Sequence, residues 1–363
     1  MRVPRDLKKS GSSSRITMKD VAVRAGVSQS TVSFVLNDIG EMRISDETRE
    51  RVLDAVRTLG YRPRGAGRPR RASTPQSIGF LIDEVATSPF AAISIEGAQE
   101  ASWKQGLTLE VVMTGGDADY EAMVLNKWSN GDFAGIIYSS ILTRAVVPPP
   151  TLSKHRCVLL NCYETGETAE KRFASVVPAE RRGGEVATRA LIEAGHRKIA
   201  FISGEPWMEA SDQRLEGYER ALREHGLPIE PSLIIEGNFL PSGGREATLR
   251  LLSGSLTPDA IFCANDLMAV GCYEALKERG LKVGSDIAVM GYDDQEISQH
   301  LSPALSTVLL PHREMGSWCV NYLLSSKSSH RPQRRIECPV VLRNSHLSAS
   351  QPIGAAPKSQ LIP

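Results

Sequence analysis

The sequence predicts two folds in series: an all-α head of helix-turn-helix type over residues 15–61 and an α/β body with parallel sheets over residues 78–343. Three observations carry that reading. The chain, at 363 residues, is too long for one comfortable core. Its apolar residues recur at helical spacing between glycines in the head, then in short apolar runs alternating with helical stretches in the body. The charge is also divided, since residues 1–71 hold 16 Lys and Arg against 8 Asp and Glu, leaving 27 basic against 34 acidic residues for the rest. A basic head on an acidic body points to a head that meets a polyanion.

Residues 1–14 read as a basic flexible tail. Thr17 or a neighbour caps a first helix over about Met18 to Ala25, with Val21 and Ala25 on one face, and Gly26 ends it. Ser28 caps a second helix with Val32, Val35 and Leu36 at helical spacing, ended by Asn37-Asp38 and Gly40. Ser45 opens a third, whose expected apolar stripe is Val52, Leu53, Val56 and Leu59 before Gly60. Two short helices about a glycine turn, with a third in support, form a helix-turn-helix. On the second helix Gln29, Ser30, Thr31, Ser33 and Phe34 face away from the core side. Gln pairs bidentately with adenine, hydroxyls bond phosphates, and the helix N-terminus attracts phosphate.

Residues 62–77 form an arginine-rich linker with three Pro and two Gly. In the body, strands are expected at Ile78–Ile82, Leu107–Met113, Gly135–Tyr138, Cys157–Asn161, Lys198–Ser203, Ala260–Ala264 and Ile287–Tyr292. Helices are expected at Ile93–Gln105, Gly183–Glu193, Arg214–His225 and Leu267–Arg279. Such β-α units build parallel sheets whose ligands sit outside the carboxyl ends of the strands. The tail Asn344–Pro363, rich in Ser, Ala, Pro and Gln, reads as disordered and lacks a leucine heptad.

Several function classes are disfavoured. No apolar run reaches the length of a membrane helix, and no apolar core follows the basic N-terminus as in a secretory signal. The six cysteines are dispersed, without a C-x-x-C pair or zinc-ligand spacing, and read as reduced thiols of a cytoplasmic protein. No P-loop, G-x-G-x-x-G, G-x-S-x-G or H-E-x-x-H is present, so neither an enzyme nor a metal or cofactor site is expected.

The run T-M-K-D-V-A-V-R-A-G-V-S-Q-S-T-V-S-F-V-L-N, with S-D-E-T-R-E-R-V-L-D-A-V-R-T-L-G-Y-R-P after it, closely resembles the head of the lactose-repressor/galactose-repressor (LacI/GalR) family. The resemblance implies a lambda-repressor-like head in which Gln29 and Ser30 read bases, while Ser28, Thr31, Ser33, Asn37 and Tyr61 contact phosphates. Thr17 is placed at the same interface. Phe34 stands where the family usually has arginine; a ring cannot donate to guanine, but it can pack on a thymine methyl. The family's hinge leucine aligns with Arg70, and Gly67 and Pro69 disfavour the hinge helix. Gly67-Arg68-Pro69-Arg70 instead resembles the core of an AT-hook, whose arginines enter a narrow minor groove. A flexible linker making only phosphate contacts is the other reading, and the two stand level.

The resemblance continues through I-G-F-L-I, S-P-F at 88–90, A-G-H-R-K-I-A-F-I-S-G at 194–204, R-L-E-G-Y at 214–218, A-I-F-C-A-N-D-L-M-A-V-G at 260–271 and D-I-A-V-M-G-Y-D-D at 286–294. It implies a periplasmic-binding-protein-like body of two lobes, crossed by the chain near 174, 305 and 330, with an effector held between them. Phe90, Arg214 and Asp266 are the implied effector contacts; Phe239 aligns with a ring-stacking residue of the purine-repressor branch, and Tyr138 joins them as a candidate. Arg214 and Asp266 pairing across the lobes, without touching a ligand, is the competing reading. Met208 and Ala210 do not match the purine branch, and Trp207 or Phe239 could equally cover a sugar face. P-A-E-R at 178–181 replaces the family's common Asp-Asn pair. The implied partners are a pseudo-palindromic double-stranded DNA operator, a small-molecule effector such as a sugar or related metabolite, and a second copy of the chain, with repression the family default and no membrane. A solute-binding protein of the same fold without a DNA role is the alternative.

Overall fold

The structure is a computed structural model and describes residues 16–36, 44–61, 76–85, 89–129, 131–165, 171–325, 331–347 and the backbone of 360–362. The chain divides into two compact units, residues 1–73 and 74–363. Asn37, Arg68 and Arg70 lie outside the described residues, as does nearly all of the linker.

The head consists of α1 (Met18–Ala25), α2 (Gln29–Leu36) and α3 (Asp46–Leu59). Its boundaries are set by local chemistry. Asp20 accepts hydrogen bonds from the backbone N–H and hydroxyl of Thr17, both at 2.7 Å. Ser28 Oγ accepts from the Thr31 N–H at 3.1 Å, and Ser45 Oγ accepts from the Thr48 N–H at 3.3 Å. The bonds from the N–H groups of Thr17, Thr31 and Thr48 each satisfy a donor with no partner inside its helix. Gly26 and Gly60 close α1 and α3 in the left-handed region, at φ 67° and 62°. Val21, Val32, Val35, Val52 and Ala55 fill the small core, and the Tyr61 ring is buried with them. The expected stripe on α3 is corrected at one place: Leu53 is exposed and Ala55 takes the inward position. One residue is about 100° of helix, so Leu53 rotates off the face that Val52 defines.

The body has two lobes. In the first, β1 (Ser77–Ile82), β2 (Thr108–Met113), β3 (Phe133–Val146), β4 (Cys157–Glu164), β5 (Ala174–Pro178) and β11 (Gln333–Ile336) form a parallel sheet in the order β11-β5-β4-β3-β1-β2. It is covered by α4 (Pro89–Lys104), α5 (Ala118–Ser129) and α11 (His312–Leu324). In the second, β6 (Ile199–Ser203), β7 (Ile234–Glu236), β8 (Ala260–Cys263) and β9 (Ala288–Met290) form a parallel sheet in the order β7-β6-β8-β9. Its helices are α6 (Glu180–Glu193), α7 (Glu209–Glu224), α8 (Pro241–Leu252) and α9 (Asp266–Glu278), followed by the short α10 (Ile297–His300). Two glycines let helices meet backbone to backbone: a Cβ at Gly97 would lie 2.0 Å from the Arg313 carbonyl, and one at Gly217 would lie 2.1 Å from that of Arg181.

The chain crosses between lobes after β5, before α11 and between β11 and β12 (Val340–Leu342), each a few residues beyond the positions expected near 174, 305 and 330. The assumed end of the body at Arg343 is also corrected. The backbone N–H groups of Asn344 and Ser345 donate to the Ala304 carbonyl at 3.2 Å, Ser345 Oγ donates to the Val289 carbonyl at 2.6 Å, and His346 Nδ1 lies 2.8 Å from Ser306 Oγ. A polar composition resembling a tail thus hides a buried hydrogen-bonded strap. Further on, β13 (Gln360–Ile362) pairs antiparallel with β12, which itself pairs with β10 (Thr307–Val308). Among the described residues no helix is long and apolar enough to cross a membrane.

Candidate effector cavity and DNA-reading helix

Parallel strands in both lobes deliver their carboxyl ends to one cleft. The cleft encloses a cavity of about 500 Å3, within the usual range for small-molecule sites. Leaving β8 and β9, the chain supplies Asn265 and Asp293; the segment before α7 supplies Trp207 and Met208. β3 and β4 do not run smoothly past each other. Their register slips between Ser139 and Arg144, and residues 140–143 bulge beside Asn161, which itself sits at φ 57°.

The centre of the cavity wall is Arg214. Its Nε and Nη2 donate to the two oxygens of Glu180 at 2.9 and 3.0 Å, and both side chains are almost fully buried. The remaining side of the guanidinium reaches the Ala264 carbonyl and lies 3.6 Å from Asp293. Tyr292 stacks on it at 3.8 Å, with Phe239 further away at 6.0 Å. Bidentate pairing with a carboxylate fixes the plane of the guanidinium, so the cation is oriented in advance. Burial pushes Asp293 up to about 7, although Arg214 and the Gln295 side chain oppose the rise. His312 also lines the cavity, stacked on Phe90 with ring centroids 5.2 Å apart, and its Nδ1 lies 3.1 Å from Ser94 Oγ. Burial lowers it to about 4, leaving a neutral imidazole at physiological pH.

Of the expected effector contacts, Phe90, Arg214 and Phe239 line the cavity. Asp266 and Tyr138 do not. Asp266 is buried behind the wall, accepting from Thr307 Oγ1 at 2.6 Å and from the Gln295 N–H at 2.7 Å, and burial holds its carboxyl well above the usual carboxylate range. It braces the loop that carries Asp293. Tyr138 donates to Glu121 at 3.3 Å, away from the cavity. Sequence reasoning missed Asp293, His312 and the pairing role of Glu180. The Y-D-D run and the unusual P-A-E-R were the available signals, but neither reveals which carboxylate turns inward.

In the head, Gln29 and Ser30 are exposed on the first turn of α2, with Thr17 and Ser28 exposed nearby in sequence. Thr31, Ser33 and Phe34 are half-buried, and Tyr61 is buried in the head core.

Comparison with known proteins decides the family. Residues 17–64 match the family described as bacterial regulatory proteins, lacI family, and residues 188–346 match the periplasmic binding protein-like domain. The ribose operon repressor of Haemophilus influenzae is 35% identical over 332 residues, covering 91% of this chain and 98% of that protein. The chain belongs to the LacI family. As a member it is a DNA-binding transcription regulator with a helix-turn-helix head and a two-lobed body. A second relative, the transcriptional repressor PurR of Vibrio atlanticus, is 33% identical over 324 residues, 88% of this chain and 94% of that one. Among solved structures, a transcriptional regulator CelR–cellobiose complex aligns over 91% of this chain and all of that one, at 28% identity and a TM-score of 0.61. The lac repressor dimer bound to operator, at 24% identity and a TM-score of 0.62, shares the fold.

Proposed function

We propose that this LacI-family member is a repressor whose hold on a pseudo-palindromic operator is set by a neutral sugar or related polyhydroxylated metabolite in the cleft. The observation that carries this is the cavity itself: an arginine locked by Glu180, flanked by Asp293 and the rings of Phe90 and Phe239. Sugars present hydroxyls to charged partners and a C–H face to aromatic rings, and this wall offers both. Within the wall Arg214 is answered by Glu180, which favours an uncharged ligand over an anion. Relatives named for ribose and for cellobiose support the same class.

In this reading Gln29 and Ser30 touch base edges, and Thr17, Ser28, Thr31, Ser33, Asn37 and Tyr61 hold the phosphate backbone. Phe34 packs on a thymine methyl, and Arg68 and Arg70 reach the minor groove. Two copies pair so that two heads meet two half-sites. The exposed Trp103 of α4, with Val111 and Met113 on the edge strand β2, supplies apolar surface for such pairing. The protein acts in the cytoplasm, where its DNA is, and performs no catalysis.

The test is a gel shift of the full chain on the DNA flanking its gene, at two salt concentrations, with a panel of sugars, polyols and purines. Salt-sensitive, sequence-specific binding altered by a sugar or polyol is expected. A response to a purine alone would overturn the effector class, and absence of specific binding would overturn the regulator.

A further inference from the structure

We infer that Arg144, carried by β3 immediately after its bulge, is a ligand-gripping residue of the first lobe and sets which oxygens of a polyhydroxylated effector are recognised. The inference rests on the sugar-class reading above and names the residue that reads the ligand from the opposite wall to Arg214.

Hydrogen-bonding capacity singles out Arg144. From the first lobe, the polar side chains lining the cavity are Thr143, Arg144, Asn161 and His312, the last a neutral ring with a single N–H whose Nδ1 lies 3.1 Å from Ser94 Oγ. Asn161 has both amide hydrogens engaged, donating from Nδ2 to the carbonyls of Ser140 and Ile141 at 3.1 and 3.0 Å. Thr143 donates its single hydroxyl hydrogen to Asn161 Oδ1 at 2.7 Å. These two residues clamp the bulge and have no side-chain hydrogen left for a ligand. Arg144 differs. Its Nε donates to Ser140 Oγ at 3.1 Å and its Nη2 to Asp83 Oδ2 at 3.0 Å, which leaves about three of the five guanidinium hydrogens uncommitted.

The side chain is also held in place. Asp83, which anchors it, accepts in turn from Ser140 Oγ at 2.8 Å and from the Ile141 N–H at 2.9 Å. The guanidinium is therefore oriented by two partners at the carboxyl end of β1 and within the bulge, while half of its side-chain surface stays open. A planar fork of uncommitted donors fits paired acceptors, such as vicinal hydroxyl oxygens or a hydroxyl beside a ring oxygen. Opposite it, Asp293 presents a carboxyl to ligand hydroxyl hydrogens. Arg144 donates from the first lobe and Asp293 accepts in the second, so a ligand carrying both kinds of group bridges the cleft.

The test is calorimetric titration of the full chain with D-ribose, D-glucose and cellobiose, and with monodeoxy analogues of whichever binds. In Arg144→Ala the affinity for that sugar is expected to fall roughly 10- to 100-fold, the range for charge-assisted hydrogen bonds. Operator affinity without sugar and the melting temperature stay close to those of the parent, because the Arg144 side chain is half-exposed and Asp83 keeps its bonds from Ser140 Oγ and the Ile141 N–H. A structural role alone is separated by the analogues: at least one missing hydroxyl must weaken the parent and cost nothing further in Arg144→Ala. Equal sugar affinity in parent and variant, or analogue losses that persist undiminished in the variant, overturns the assignment while leaving the sugar reading intact. If the parent binds none of these sugars, both fall.

Discussion

Replacing Glu180 by alanine should destabilise the second lobe, because it strips the bidentate partner from a cation that is about 5% exposed. Breaking a buried pair by removing one partner costs about 3–5 kcal/mol, since the other charge stays buried without compensation. Asp293 moderates the loss here. It lies 3.6 Å from Arg214 Nη1, and removing the Glu180 charge makes its own ionisation easier, so the lower end, about 3 kcal/mol, is expected. Replacing both residues by methionine behaves differently, because no buried charge of the pair is orphaned and the volume is kept. That variant should recover to within about 1 kcal/mol of the parent. The assay is native-state hydrogen exchange of amides in β6 and β8, which reports the free energy of opening this lobe. A loss below about 1 kcal/mol in Glu180→Ala, or a double variant no more stable than the single, would refute the view that the pair is a mutually dependent buried unit.

Further outcomes follow from the same residues. Asp293, raised to about 7, binds its proton more tightly in the folded state, so its contribution to stability is full below about 4 and is lost as pH rises through 7. His312, lowered to about 4, works in the opposite sense: its contribution is present above about 6.5 and is lost as pH falls toward 4. The stability of the parent minus that of Asp293→Asn should therefore decline between pH 4 and 7 in urea titrations, and a flat difference would contradict the assignment. Gln29→Ala should cost about 1–3 kcal/mol of operator binding and relax selectivity at one base step, read by competition among operator variants; uniform weakening would make Gln29 a phosphate contact. Arg68→Ala with Arg70→Ala should weaken binding selectively on operators with A·T-rich centres, whereas equal weakening with a reduced salt slope would mark a phosphate-contacting linker.

Much of the fold was legible because its signals are local. The glycines at 26 and 60 and the caps at Ser28 and Ser45 are decided within a few residues, and the head helices begin and end where those residues require. The body strands were legible as apolar runs, though β3 continues eight residues past the expected end at Tyr138, since its bulged extension S-S-I-L-T-R-A-V alternates polar and apolar pairs rather than single residues and is held by Asp83 and Asn161. The short strands β10 and β12 carry too few residues to show a period. The site was half legible. Phe90, Arg214 and Phe239 lie at matching motif positions, but Asp266 and Asp293 differ only in which way a loop turns them. Asp293 sits at φ 109° and faces the cavity, while Asp266 opens α9 and points into the packed interior. Nothing short-range in the sequence distinguishes the two.

The most direct test of ligand-controlled DNA binding is the anisotropy of a fluorescent operator titrated with the full chain and with Arg214→Met, each with and without the sugar or polyol found in the panel. The ligand is expected to shift operator affinity of the parent about 10-fold, a coupling of roughly 1.4 kcal/mol, and to leave that of Arg214→Met unchanged. An equal ligand response in the two proteins would contradict this expectation.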